Sequence, residues 1–578
     1  MAYLCLRASQ DTKRRRFIVC PLYVVMGSLE AKTFGNSTYY YYVEKRWIDG
    51  RSRRARTVYL GPAEKIFSAM KGTPGVEGEP VRVKAYPFGV ISSLLTTAKS
   101  LGFVETVDHY AHKRTTPGFS VGQYLLLSLL ARSLEPWSKA ATGRWFYRKS
   151  FLKFVWDAPH ELNSENILSN LRHLADLRVQ RAIEEALTRK LVERGLRPSL
   201  LLWDASNWSN YIEQGETLPH TGKAKNRRYD LNLVSMALAV TEDHVPLFHE
   251  MGPGNLDESE VFPKTVEALA MRLMRLHLDT SEMILVTDKG PLSEDNLAKV
   301  REWMHVVAAL PANMASDLMD LDLDHFSPLH ATGRGHELLG YLTRRELYGQ
   351  EWNVAATYNA ATAKRKAETY ARYEKKFLEG MAKLKEGYER AKGRQLSYPR
   401  AAEWAAHLVS ADYVGVFRYE LTPTPKGVTY GVDEERKATL LRRAGRRMFF
   451  TDLDLDAEGM AWTYEERTKV EEDFKWMKGE EVMPLSPLFV RKDESILAHS
   501  FLVVMGMLLW RLTWKRIREA GIQAPEREVL EALDELDLVL VGRQKRGELK
   551  GGEWKLSDHG ALAGELFEKL KLGGEIPA

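Results

Sequence analysis

The spacing of apolar residues changes several times along the chain, and each change predicts a different kind of element. From Val90 to about Arg194 apolar positions recur at three- and four-residue steps, notably over 124–132, 140–151 and 164–192, the spacing of helices that bury one face. At residue 198 the period shortens. Pro198 to Asp204 is a short apolar run closed by an acid, the pattern of a buried central strand. Two more strands are expected over 231–240 and 246–249, with Glu242 and Asp243 in the turn between them. A helix over 259–276, a strand over 283–288, a helix over 293–304 and a strand over 306–310 follow. The order β-β-β-α-β-α-β predicts an α/β fold with a mixed sheet and helices on its faces.

Beyond residue 310 the pattern breaks. Over 354–392 a long charged helix is expected, with Ala363, Ala367, Tyr370, Phe377, Met381, Leu384 and Tyr388 at three- and four-residue steps, as in a coiled-coil-like hairpin arm. Strands are expected over 413–421 and 447–451. Patterns compatible with the sheet then resume, so 311–450 reads as an insertion. Near the N-terminus, 39–43 and 57–60 predict a hairpin turned at Asp49 and Gly50. Residues 63–84, rich in Gly and Pro, read as a linker. The expected organisation is a basic β-rich region (1–84), a helical domain (85–195) that could hold a small DNA-binding module although such bundles more often serve packing, a core in two parts (196–310 and 451–515) around the insertion (311–450), and a C-terminal helical region (516–578).

Composition narrows the class. A chain of 578 residues with 28% charged and 44% hydrophobic residues has the balance of a multidomain globular protein rather than a disordered one. Only Cys5 and Cys20 are present, which excludes a disulfide framework and a cysteine-rich zinc site and suits a reducing compartment. The longest uninterrupted apolar run, 501–510, is about half of what a bilayer span requires, and no signal peptide is evident, so a cytoplasmic protein is expected. The net charge of +5 is concentrated at one end: residues 1–62 hold twelve Lys and Arg against four Asp and Glu. Lys45, Arg46, Arg51, Arg53, Arg54 and Arg56 cluster on and beside the hairpin turn, which suits a polyanion partner; the alternative is a solvated edge hairpin kept soluble by its cations.

Three acids are singled out by position. Asp204 ends the first strand of the core, Asp288 ends the fourth, and Glu471 lies on the helix after the insertion. Carboxylates at strand ends and on a flanking helix can converge at one sheet edge. Hard oxygen ligands with no His or Cys among them favour Mg²⁺ or Mn²⁺, and a pair of such ions supports phosphodiester chemistry. Read as one helix, 464–478 places Tyr464, Arg467, Glu471 and Lys478 within an arc of about 60°, with Val470, Phe474 and Met477 on a separate apolar stripe. The acid would hold a metal while Arg467 and Lys478 neutralise the flanking backbone. The alternative is an amphipathic helix stabilised by an Arg467–Glu471 pair.

These residues resemble the signature of a large branch of bacterial DDE insertion-sequence transposases, in which Tyr, Arg, Glu and Lys stand at the spacing of Tyr464, Arg467, Glu471 and Lys478. Other blocks agree. Trp203, Asp204 and Trp208 resemble the first-Asp block; Gly222, Lys225, Arg228, Asp230 and Leu231 resemble a further conserved stretch. Gly254, Asn255 and Asp257 match a turn with one residue fewer, and Asp288, Gly290, Ser293 and Asn296 resemble the second-Asp block. The stretch 496–499 resembles the helix start after the glutamate block, and 50–61 the start of these proteins. Lys289 stands where Arg is commoner, and Ala224 replaces a Ser.

The resemblance, covering about 39–514, implies an RNase H-like core with an insertion before the glutamate. It implies Asp204, Asp288 and Glu471 as catalytic metal ligands for two Mg²⁺ (or Mn²⁺) ions. Arg467 and Lys478 are implied at transposon-end phosphates, with Tyr464 supporting them on the DNA-binding side of the site; Lys225, Arg228, Arg51, Arg53 and Arg54 are expected as further DNA contacts. The implied partners are the terminal inverted repeats and target DNA, held by a homodimer at the bacterial nucleoid. A catalytically silent DNA-binding protein and an RNase H-like nuclease without strand transfer remain as other readings.

Overall fold

The computed structural model describes residues 26–34, 37–48, 51–62, 81–113, 118–134, 138–158, 162–211, 216–222, 230–329, 338–390, 396–479, 484–485, 488, 490–545 and 548–577. The chain divides into two compact units, one made of 1–96, 144–157 and 516–578, the other of 97–143 and 158–515.

In the first unit β1 (Met26–Phe34), β2 (Ser37–Ile48) and β3 (Arg51–Pro62) form an antiparallel meander. The expected hairpin lies within β2 and β3, in the register Val43↔Thr57 and Tyr41↔Tyr59; its turn, Asp49 and Gly50, lies outside the described residues. Tyr41 and Tyr59 pair across the strands at 5.2 Å between centroids, the cross-strand aromatic contact that fixes such a register. β4 (Val81–Pro87) occupies the end of the stretch expected as linker. It pairs with Asp537–Lys545, which pairs in turn with Glu548–Leu556. The C-terminal region is therefore not wholly helical. Its helix Glu526–Glu535 is where the pattern put it, but the short apolar run after it is of a kind that periodicity alone cannot assign to helix or strand.

The second unit is built on a nine-stranded mixed sheet. Its first strands are β5 (Leu200–Asn210), β6 (Asn232–Thr241), β7 (Pro246–Pro253), β8 (Ile284–Thr287) and β9 (His305–Ala309). Then come β10 (Ser327–Leu329), β11 (Leu338–Leu347) and β12 (Gln350–Asn359). After the separate hairpin β13 (Phe417–Pro423) and β14 (Lys426–Val432), β15 (Arg446–Thr451) completes the sheet. The spatial order is β10-β11-β12-β15-β9-β8-β5-β6-β7. Among the described strands of this sheet, β5–β8 and β8–β9 are the parallel pairings, and parallel neighbours need a crossover. Helices Glu258–Arg275 and Glu294–Arg301 supply the crossovers, capped by Asp257 and Ser293, whose side chains accept from the Ser259 and Asn296 amides. The expected β-β-β-α-β-α-β order is thus present.

Of residues 311–450, β10, β11, β12 and most of β15 are strands of this sheet, and among the described residues the long excursion from it runs between Asn359 and Arg446. The long helix is Ala360–Glu389; residues 354–359, expected as its start, are strand. Ala355 and Ala356 favour helix intrinsically, but β12 is paired on both sides and the sheet overrides propensity. The helix stripe Tyr370, Phe377, Met381, Leu384 and Tyr388 is fully buried with Ala401, Ala405, Phe417 and Val428. It packs on helix Tyr398–Leu408 and the β13–β14 hairpin rather than on a coiled-coil partner. The helical region 164–192 is two helices, Ser164–Leu171 and Leu177–Glu193, the second capped by Asp176. Helix Asp493–Glu519 is long and apolar enough to cross a membrane, yet 89% of its apolar window is buried within the protein, as expected of a core helix.

Two glycines from the sequence blocks meet in space. A Cβ on Gly222 would lie 2.1 Å from the Gly254 carbonyl oxygen, and one on Gly254 would lie 2.3 Å from the carbonyl oxygens of His220 and Leu233. His220 and Leu233 exchange two backbone hydrogen bonds there, 3.0 and 2.8 Å. With backbone on every side, overpacking is not relieved by a rotamer change. Gly254→Ala should destabilise this unit by about 1–3 kcal/mol, read as a lower midpoint in thermal denaturation; an unchanged midpoint would disprove the close approach.

Candidate active site

The parallel register of β5 and β8 aligns the two aspartates. Leu202 stands beside Val286, and two residues further along each chain lie Asp204 and Asp288. Side chains two apart share a sheet face, and neighbouring strands are roughly 4.8 Å apart. Further along β5 that face is marked by contacts: Ser206 Oγ lies 2.5 Å from Lys478 Nζ, and the Trp208 ring lies 5.6 Å from that of Phe474. Asp204, Ser206 and Trp208 therefore look toward the helix that carries Glu471.

That helix is not the single 464–478 span expected from spacing. Ala457–Glu465 and Thr468–Lys478 are separate helices, joined by a turn at Glu466 and Arg467. The turn lets the Arg467 guanidinium lie over the Tyr464 ring at 5.2 Å while its terminal nitrogen pairs with Glu471 Oε1 at 2.8 Å. Tyr464 packs on Phe449 of β15 at 4.7 Å and donates its hydroxyl to Asp288 Oδ1 at 3.2 Å. The same oxygen accepts from the Lys289 amide at 2.8 Å. Val470, Phe474 and Met477 bury the other side of helix Thr468–Lys478. Asp473, fully buried, pins it: its Oδ1 lies 2.5 Å from Arg511 and 3.1 Å from His244 Nδ1.

Between these elements is a cavity of about 420 Å³, lined by Asp288, Lys289, Arg447, Tyr464, Arg467 and Glu471 among others. Burial pushes the Tyr464 hydroxyl up to about 12, and the field of Asp288 adds to this against the opposing one of Arg467, so it stays a donor at neutral pH. Burial alone would lower the Arg467 guanidinium. Tyr464, Glu471, Asp288 and Asp204 together outweigh burial and raise it above its ordinary value. All three candidate carboxylates thus act on one cation.

Of the residues expected at a site, the structure brings together Asp288, Glu471, Tyr464 and Arg467 in one cavity, with Asp204 within their electrostatic reach. Lys478 stands apart, at the far end of its helix against Ser206 and 5.2 Å from the centre of the Trp208 ring. Lys225 and Arg228 lie outside the described residues, as do the side chains of Arg51 and Arg53. Arg54 belongs to the other unit, on β3, and pairs with Glu30 at 2.5 Å. Among the described residues no three His, Cys, Asp or Glu side chains are gathered closely enough to enclose a metal ion; Glu471 is turned to Arg467 instead. The donor set still suits a hard cation, being all carboxylate, and only one oxygen of Asp288 is hydrogen-bonded among the described residues.

Sequence reasoning missed Arg447 and the Asp473 clamp. Arg447 arrives from β15, distant in sequence, with no spacing signal. Asp473 had one: an acid within the apolar stripe of Val470, Phe474 and Met477. No protein-family model and no curated protein matches this chain.

Proposed function

We propose that this protein is a DDE-type DNA transposase, cutting the ends of a mobile element and joining the freed 3′-hydroxyls to target DNA. The observation that carries this reading is that Asp204 and Asp288 stand at matching positions along adjacent parallel strands, while Asp288 and Glu471 line one cavity with Arg467. The β9-β8-β5-β6-β7 half of the sheet is read as an RNase H-like core, and residues 360–445 as its insertion. Asp204, Asp288 and Glu471 would hold Mg²⁺ or Mn²⁺, two ions per site, which would supply an activated nucleophile and a stabilised leaving oxygen.

The protein's own groups do the positioning. Tyr464 and the Lys289 amide fix Asp288 from one side, leaving its other oxygen for a ligand. Arg467, the partner of Glu471 in the free protein, is the cation placed to receive a DNA phosphate and release that carboxylate. Lys478 would bind backbone further along the helix. A homodimer holding two ends, at the bacterial nucleoid, completes the proposal.

The test uses the full chain, linear duplexes carrying the DNA that flanks its gene, and Mg²⁺. Nicked ends and end-to-target joints are expected. Cleavage without joints would instead indicate a nuclease, and end binding with neither product a silent DNA-binding protein. Tyr464→Phe, which removes one hydrogen bond to a charged acceptor, should slow cleavage about tenfold with end binding unchanged; a native rate would exclude the hydroxyl from positioning Asp288.

A further inference from the structure

The same unit carries a second hollow, about 370 Å³, between helices Ala360–Glu389 and Tyr398–Leu408, lined by Arg372, Lys376, Lys383, Trp404 and Leu408 among others. Its cations belong to a longer stripe. At 100° per residue Arg365, Arg372, Lys376 and Lys383 fall within about 40° of one another, and at 1.5 Å rise they span about 27 Å. All four are exposed. Glu379 lies near this stripe, but its carboxylate is drawn 4.0 Å from Lys375, to one side. The opposite face of the helix is locked into its own core by Tyr370, Phe377, Met381, Leu384 and Tyr388, so the stripe is presented on a rigid element.

The floor of the groove is also shaped. A Cβ on Gly380 would lie 2.5 Å from Leu408 Cδ2, so glycine lets the second helix close in. That helix leaves Trp404 37% exposed beside the cations. A row of cations flanked by an aromatic is complementary to a sugar-phosphate strand, whose charges the cations meet and whose sugar edges give the ring an apolar surface. Over 27 Å one strand of a duplex presents about eight phosphates, enough for four cations.

We propose that this groove docks the backbone of duplex DNA, with Arg365, Arg372, Lys376 and Lys383 on phosphates and Trp404 against the sugars. The inference rests on the transposase reading only for the choice of DNA as partner. It is tested by salt titration of the binding of the full-length protein to a 30-base-pair duplex of arbitrary sequence, roughly three helical turns.

The variant R365Q/R372Q/K376Q/K383Q should flatten the slope of log affinity against log salt by about 3–4 and weaken binding tenfold or more near 0.1 M salt. Gln keeps helix propensity at these exposed positions; should the quadruple variant nevertheless misfold, K376Q/K383Q should flatten the slope by about 2. W404A should weaken binding several-fold with the slope unchanged. A slope within one unit of wild type for a folded charge variant overturns the groove and leaves the proposed activity standing. Failure of the wild-type protein to bind any duplex would overturn both.

Discussion

Asp204→Asn, Asp288→Asn and Glu471→Gln are each expected to lower Mg²⁺-dependent DNA cleavage by roughly a thousandfold or more, about 4 kcal/mol of lost transition-state stabilisation, while end binding stays within about threefold. Each substitution keeps shape and removes one negative charge from the cluster around Arg467. Catalysis through hard cations depends on that charge; backbone recognition by Arg467, Lys478 and the basic surfaces does not. The stability cost is small enough to separate the two. Glu471 is 36% exposed on its side chain and paired at i,i+4 with Arg467, so losing the pair should cost well under about 1 kcal/mol. Near-native cleavage by any one of the three variants, at an unchanged melting temperature, would refute the catalytic assignment.

How far the fold was legible follows from what fixes each element. The strands and helices of 198–310 were readable because β5, β6 and β8 are buried central strands that each carry a short apolar run, and the helices that follow begin at Asp257 and Ser293, side chains that cap. The stretch 354–359 was not readable, because its pairing partners lie in β11 and β15 and local spacing carries no trace of them. The same holds for Asp537–Lys545, whose identity as a strand depends on Val81–Pro87, some 450 residues earlier in the chain.

The site was legible to a similar degree, for a different reason. Asp288 follows the apolar strand β8 and Glu471 stands four residues after an arginine, so both could be inferred from local pattern. Asp204, expected to end its strand, closes only the apolar run 200–203 and lies mid-strand, because β5 continues through a mostly polar stretch to Asn210 in pairing with β6. The arc that placed Tyr464 and Lys478 on one helix face could not survive the turn at Arg467. Tyr464 reaches the site from the preceding helix, and Lys478 is separated from the cavity. Arg447 could be placed only through the pairing of β15 with β12 and β9, which sets it opposite Thr357.

A second large effect is expected away from the cavity. Glu184, on helix Leu177–Glu193, lies 2.9 Å from Arg272 on helix Glu258–Arg275 and pairs with His249 on β7, all three side chains no more than 3% exposed. Burial would raise the Glu184 carboxyl, but His249, Arg272 and Arg181 outweigh it and hold it at about 2 instead of 4.5. Glu184→Gln leaves the Arg272 charge buried without its counter-charge, which should cost about 3–5 kcal/mol and lower the melting temperature by roughly 5–10 °C. Changing both partners, Glu184→Met with Arg272→Met, should cost less than the single change, because no charge is then stranded. The pH dependence fixes the sign. As pH falls below 4.5 the unfolded carboxyl takes up a proton that the folded one refuses until about 2, so the contribution is complete above 4.5 and is lost across that window, on the order of 3 kcal/mol. The gap in melting temperature between wild type and Glu184→Gln should therefore narrow between pH 4.5 and pH 2. If the gap is the same at pH 3 as at pH 7, the stability does not come from an ionised Glu184, and the clamp joining these two helices to β7 must work through packing alone.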